Sequence, residues 1–298
     1  MIEESKIKND KTHVVDNSVC ISFSGSGLML IYQLGVASAM HAQPKFMERV
    51  KRVRGTSGGA IVGAMLLACP EKIETAIDFY CSGGFLAMMR DRGQMIRDIT
   101  HPHEDLLRAS VDQLGLLKKR DYADIFAGSR FVAHVTVGPW PSIKNMGLSN
   151  FKSNEDVITA ISASCCLVPT GKVYSGDGMT YWDGGLTDPM PDDDQLPTVT
   201  VSVLRGKGVD IAPSDVKRNL MAHGDLNEGN IEGTYPVLLQ RSAKERSRFL
   251  RYDWSGKNIR ALLDAGLIPM TGSRARERFD EGRRDASIWL THLGYAPT

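Results

Sequence analysis

No charge of either sign dominates this chain. Its 298 residues carry 36 Lys and Arg against 35 Asp and Glu, which excludes a globally basic face for nucleic acid and an acidic disordered tail. Long apolar runs are missing as well. The longest unbroken one, Gly58 to Cys69, has 12 residues, whereas a bilayer span needs roughly 20. The opening stretch, Met1 to Asp16, mixes acids and bases without an apolar centre and is unlike a secretory leader. Cysteines are few, odd in number and scattered: Cys20, Cys69, Cys81, Cys165 and Cys166 show neither CxxC spacing nor a disulfide framework. An intracellular protein, cytoplasmic or peripheral to a membrane, is therefore expected. Repeats and Pro/Ser-rich linkers are also absent. The expected organisation is a flexible lead-in over 1–17, a main domain over 18–205, and a helical extension over 206–298 packed on that same domain.

What is present is 42% hydrophobic, enough for a substantial core, and strand-like and helix-like segments alternate. Val19 to Phe23 reads as a strand that stops at Ser24-Gly25-Ser26-Gly27 and leads into a helix from Leu28 to about His41. Arg49 to Arg54 reads as a second strand. It ends in Gly55-Thr56-Ser57-Gly58-Gly59 and runs into Ala60 to Ala68, apolar on every side and so a buried helix. Further strands are expected at Arg130 to Val137 and Thr198 to Leu204, with helices at Glu71 to Tyr80 and Glu155 to Ala163 between them. This alternation predicts an α/β layered fold around a mainly parallel sheet. Towards the end, Val237 to Tyr252 and Arg274 to Leu293 read as charged helices. Arg241 to Arg260 holds seven Lys or Arg against two acids, a solvated face or, on a lipid substrate, a membrane-docking one.

The Gly55-Thr56-Ser57-Gly58-Gly59 segment is where chemistry is expected. A serine on a tight strand-to-helix turn projects its hydroxyl beyond the sheet, and glycines two residues to either side let the strand and helix backbones approach. Ser57 would be the nucleophile, helped by the free N–H groups and dipole of a helix N-terminus. The oxyanion formed by its attack on an ester needs preorganised donors, which the Gly25-Ser26-Gly27 loop offers through the N–H groups of Ser26 and Gly27. A proton acceptor is expected in Tyr181-Trp182-Asp183-Gly184-Gly185: Asp183 either takes the serine proton directly or orients a histidine that does. In the second case His223 or His292, which follow the acid, would complete a triad. His101-Pro102-His103-Glu104 lacks a third ligand at metal spacing and reads as a solvated turn, as do Asp192, Asp193 and Asp194, so no metal or cofactor is expected.

Taken in order, Ser24-Gly25-Ser26-Gly27, Gly55-Thr56-Ser57-Gly58-Gly59, Ala163-Ser164-Cys165 with Pro169 after it, and Asp183-Gly184-Gly185 resemble the patatin-like phospholipases. The wording Ser22-Phe23-Ser24-Gly25-Ser26-Gly27, continued by Gly35-Val36-Ala37-Ser38, is most similar to the adiponutrin-like branch. The resemblance covers about Val19 to Pro191, with an echo at Phe279-Asp280-Glu281-Gly282 and Asp285-Ala286. It implies a three-layer patatin-like fold, a Ser57–Asp183 dyad without histidine, and an oxyanion loop at Gly25, Ser26 and Gly27. Gly55 and Gly59 would be the nucleophile-elbow glycines, and Gly184 and Gly185 would complete the Asp-Gly-Gly motif. The implied activity is hydrolysis of lipid acyl esters at a peripheral membrane or lipid-droplet surface, with no nucleic acid partner. The sequence departs from the family at Leu30, where the last glycine of GxGxxG is usual. That departure keeps open a catalytically inactive module that binds lipid or a partner.

Overall fold

Val19–Phe23 form the first strand, β1, and all five residues are buried, as in a strand covered on both faces. The computed structural model describes residues 17–83, 125–139, 142–166, 172–173, 179–206, 209–213, 258 and 270–296. β1 lies between β2 (Val50–Thr56) and β7 (Thr198–Val201), parallel to both. β2 pairs in parallel with β3 (Phe131–Val137). These four strands are the parallel part that the alternation predicts. Beyond β3 the sheet is mixed, because β4 (Lys144–Leu148) and β6 (Thr180–Asp183) run antiparallel to β3, and β5 (Lys172–Val173) runs antiparallel to β6.

The register on β3 positions the site. β4 occupies one edge of β3 from Ala133 to Val137. β2 pairs with Phe131 to His134 and β6 with Val135 to Val137, so these two share the other edge and run towards each other along it. Thr56 ends β2 opposite His134, and Asp183 ends β6 opposite Val135. Two strand ends distant in sequence therefore meet at adjacent residues of β3.

The helices are α1 (Leu30–His41), α2 (Pro44–Met47), α3 (Gly58–Ala68), α4 (Ile73–Cys81), α5 (Asn154–Ser164) and α6 (Gly272–His292). α1 and α3 are apolar nearly all round and correspondingly buried, α3 against β1, β2, β3 and α1. α5 starts at Ser153, whose hydroxyl accepts the Asp156 N–H at 3.1 Å, a serine N-cap. α6 is amphipathic and lies along α1, burying Ala275, Phe279, Ala286, Trp289 and Leu290. The two helices touch through glycine: a Cβ on Gly35 would stand 2.0 Å from the Phe279 carbonyl oxygen, and one on Gly282 2.0 Å from that of Tyr32. At the same crossing the Tyr32 hydroxyl donates to Asp285 at 3.0 Å. The echo in Phe279-Asp280-Glu281-Gly282 and Asp285-Ala286 is thus a helix-packing motif.

Boundaries differ from the expected ones where turns intervene. The first helix begins at Leu30, after a 3-10 turn over Gly27–Met29, and β2 runs on to Thr56, directly into Ser57. The expected helix Val237 to Tyr252, the basic stretch Arg241 to Arg260, and His101, His103, Pro169 and His223 fall, wholly or nearly so, outside the described residues. Among the described residues no helix is long and apolar enough to cross a membrane.

Candidate active site

Ser57 sits between β2 and α3 with φ 54° and ψ −128°, a backbone conformation that L residues rarely adopt and that costs about 1–3 kcal/mol. The glycines around it make the turn possible. A Cβ on Gly55 would lie 2.4 Å from the Gly59 carbonyl oxygen, and one on Gly59 would lie 2.4 Å from the carbonyl oxygens of both Phe23 and Ser24. β2, α3 and the end of β1 are therefore in backbone contact, as a nucleophile elbow requires.

Asp183 arrives at the same point from the opposite direction. Its side chain is nearly enclosed, with the residue 6% exposed. Three hydrogen bonds fix it: its N–H donates to the Cys166 carbonyl at 2.6 Å, its C=O accepts the Thr136 hydroxyl at 2.9 Å, and its Oδ1 accepts the Gly185 N–H at 2.8 Å. Gly184 permits the turn that follows, since a Cβ there would stand 2.3 Å from the His134 carbonyl oxygen and 3.0 Å from the Thr56 methyl. The Ser57 side chain lies near enough to the Asp183 carboxyl group to hold its pKa down. Burial raises the carboxyl pKa above the ordinary value, and the nearby Ser57 side chain and the Gly185 N–H only partly offset this. A carboxylate with a raised pKa is a stronger base, poised to hold a proton that a solvated aspartate would release.

The loop after β1 lies over the elbow. A Cβ on Gly25 would be 3.9 Å from the Ser57 Cβ, while the Gly25 N–H is committed to the Pro189 carbonyl at 2.8 Å. That leaves the amides of Ser26 and Gly27 as the loop's candidate oxyanion donors. Among the described residues the buried Ser26 hydroxyl has no hydrogen-bond partner, and it packs against Gly58, where a Cβ would approach it to 2.5 Å. Leu30 opens α1 with ordinary helical angles, φ −49° and ψ −26°. The backbone at this point does not need the missing glycine, and the Leu30 side chain is accommodated beside Gly58.

The sequence reading missed three neighbours. The Ser57 N–H donates to the Ser164 hydroxyl at 2.8 Å, and that hydroxyl donates to the His134 carbonyl at 2.6 Å. The Cys165 thiol is a second neighbour of the Ser57 side chain; burial and the nearby Asp183 charge raise its pKa and keep it protonated. Thr136 anchors Asp183 from β3. Ala163-Ser164-Cys165 was visible as a motif, but nothing in its composition indicated that its hydroxyl would hold the backbone of the elbow.

Histidine stays out of the site among the described residues, where none shares a hydrogen bond with Ser57 or Asp183. His134 instead lies between Asn145, 2.8 Å from its Nδ1, and Arg54, 3.2 Å from its Nε2. Burial lowers its pKa to about 4 despite the Asn145 hydrogen bond, so the ring is neutral at pH 7. Asp193, read from sequence as part of a polar turn, takes hydrogen bonds from Arg52 at 2.6 Å and Arg54 at 3.0 Å and caps the N–H groups of Gln195 and Leu196.

A model of the family described as patatin-like phospholipase matches residues 21–194, a span that holds the loop, the elbow and Asp183. Patatin-like phospholipase domain-containing protein 4 of Homo sapiens is 32% identical over 203 residues, which are 65% of this chain and 75% of that protein. Patatin-like phospholipase domain-containing protein 5 of Homo sapiens is 28% identical over 67% of this chain and 45% of its own length. The omega-hydroxyceramide transacylase of Homo sapiens is 28% identical over 72% of this chain and 38% of its own length. The match thus spans less than half of these two longer relatives. The chain belongs to the patatin-like phospholipase family and so to the lipid-acting hydrolases and acyltransferases.

Proposed function

We propose that the protein is a serine lipid acyl hydrolase working through a Ser57–Asp183 dyad. The observation that carries this reading is that β2 and β6 meet head-on, which sets Ser57 beside the buried Asp183 carboxyl group. Asp183 accepts the Ser57 proton as Ser57 Oγ bonds to the acyl carbon, and the carbonyl electron pair moves onto oxygen. The N–H groups of Ser26 and Gly27 hold that oxyanion; each such donor lowers the barrier by about 2.7–4 kcal/mol. As the tetrahedral intermediate collapses, the ester C–O bond breaks and the departing alkoxide takes the proton from Asp183. A water or a lipid hydroxyl, giving its proton to the same carboxylate, then attacks the acyl carbon, and the Ser57 Oγ–acyl bond breaks as that proton passes from Asp183 back to Ser57 Oγ.

No histidine is needed for this sequence of steps, because Asp183 is itself the acceptor of the serine proton. An acyl ester of this class is poorly soluble, so the reaction is set at a membrane or droplet surface. Fatty acid release should be measured from a panel of phospholipid, acylglycerol and retinyl esters, with Ser57→Ala as the blank. Release from at least one ester by the parent chain and none from the blank supports the reading. Equal release by both proteins contradicts it.

A further inference from the structure

α5 ends at Ser164, and the residues that follow, Cys165 and Cys166, touch both members of the proposed dyad. The Ser164 hydroxyl accepts the Ser57 N–H at 2.8 Å, and the Cys166 carbonyl accepts the Asp183 N–H at 2.6 Å. Between them the Cys165 thiol lies against the Ser57 side chain. Ser164 also donates to the His134 carbonyl at 2.6 Å, and His134 is the residue of β3 that faces Thr56, immediately before the one that faces Asp183. We propose that Ser164 is the positioning residue of the active site. Its hydroxyl clamps the strained Ser57 backbone to β3, so that one short segment, 164–166, sets the spacing between Ser57 and Asp183.

Three observations converge on this role. Ser57 holds a strained φ of 54°, and such a conformation persists only where its surroundings over-determine it. Ser164 is completely buried, so no water can take over its two hydrogen bonds. Its oxygen uses both functions at once, accepting from the elbow and donating to the sheet, which fixes the direction of its proton. A consequence for the chemistry follows: the Ser57 amide is engaged and cannot stabilise the oxyanion, so the loop amides of Ser26 and Gly27 carry that task.

The proposal rests on the Ser57–Asp183 reading, and its test separates the two. In the full-length chain, Ser164→Ala removes the acceptor of the Ser57 N–H and Ser164→Thr keeps it. Each is compared with the parent for kcat, KM, thermal midpoint and the second-order rate of Ser57 labelling by a fluorophosphonate. Ser164→Ala is expected to lower kcat and the labelling rate between about 10- and 100-fold, the scale of a misplacement of about 1 Å. KM should stay within about 2-fold, because the change acts on the nucleophile. The acid limb of the pH–rate profile should move to higher pH, because a displaced Ser57 no longer helps to hold the Asp183 pKa down, and Ser164→Thr should recover most of the labelling rate. A folded Ser164→Ala protein with parental kcat and labelling rate, while Ser57→Ala is inactive, overturns the positioning role alone. An Ser164→Thr protein that is folded but no faster than Ser164→Ala also overturns it. A parent chain that is never labelled at Ser57 overturns the dyad reading as well.

Discussion

Thr56 and Asp183 stand opposite consecutive residues of β3, His134 and Val135, at the facing ends of two strands that run towards each other along one edge. This relationship makes the site. A strand that continues past its partner would have extended the ladder; here each ends, and the next residue after Thr56 is Ser57. The antiparallel entry of β6 brings its carboxylate to the carboxyl end of a parallel strand, the usual location of reacting groups in open α/β sheets. The close packing at Gly55 and Gly59 then fixes the height of the hydroxyl above that end.

Ser57, the proposed nucleophile, holds a positive φ, so relieving that strain should separate stability from activity. Ser57→Gly accepts the positive φ without penalty and is expected to be more stable than Ser57→Ala by about 1 kcal/mol. Both should be inactive. Urea denaturation of the two variants checks the difference, and equal stability would mean that the elbow is not under strain.

Asp183 has a native pKa raised by burial, and the sign of its effects follows. The proposed dyad needs the ionised form, so the rate should rise with pH through a midpoint above the usual carboxylate value of about 3.9. A raised native pKa favours the fold below the unfolded pKa, and that contribution is lost as pH rises through the native value. At neutral pH the charged, buried Asp183 therefore costs stability. Asp183→Asn should melt at the same or a higher temperature than the parent at pH 7, converge with it towards pH 4, and release no fatty acid. A lower melting temperature at pH 7 together with an ordinary acid limb would show the carboxylate to be a structural charge.

Asp193 behaves in the opposite way. Burial alone would raise its pKa, but the hydrogen bonds from Arg52 and the Gln195 amide and the charges of Arg54 and Arg52 outweigh this and hold it low. Its contribution is present above the unfolded pKa and disappears as pH falls through the native one. Its side chain is 0% exposed, while those of Arg52 and Arg54 are 20% and 18% exposed, so solvent screens part of the pairing. Asp193→Asn should cost about 2 kcal/mol at pH 7 and much less near pH 3, with kcat per folded molecule within about 2-fold of the parent. Thermal melts at the two pH values check it; a pH-independent loss would assign the effect to packing instead.

Much of this was legible in the residues. Val19 to Phe23 stands out because a fully buried strand has no polar face to hide it, and Gly55 to Gly59 because an elbow tolerates so few alternatives. The apolar surroundings of Ala60 to Ala68 likewise announce a helix inside the core. The antiparallel flank was less legible. Lys144–Leu148 and Lys172–Val173 are too short and too mixed in polarity to announce strands. The antiparallel direction of β6 depends on pairing with β3, a long-range choice that local periodicity does not encode. Ser164 and Cys166 escaped for the same reason, since their roles are hydrogen bonds to backbone atoms over 100 and 17 residues away.

Ser26 offers a check on the oxyanion loop. Its buried hydroxyl has no partner among the described residues, which costs about 1–3 kcal/mol relative to a paired group. Because the donors assigned to the loop are amides, Ser26→Ala should keep kcat within about 3-fold and raise stability by about 1 kcal/mol. Steady-state kinetics and urea denaturation of this variant suffice, and a loss of about 100-fold in kcat would make the hydroxyl itself the oxyanion donor.

The most direct measurement is peptide mass spectrometry of the folded chain after reaction with a fluorophosphonate, run beside Asp183→Asn. The account predicts one phosphonyl group per molecule, carried on Ser57, with labelling lost or greatly slowed in Asp183→Asn. A folded parent chain that stays unlabelled, a label on any residue other than Ser57, or equally fast labelling of Ser57 without the Asp183 carboxylate would contradict it.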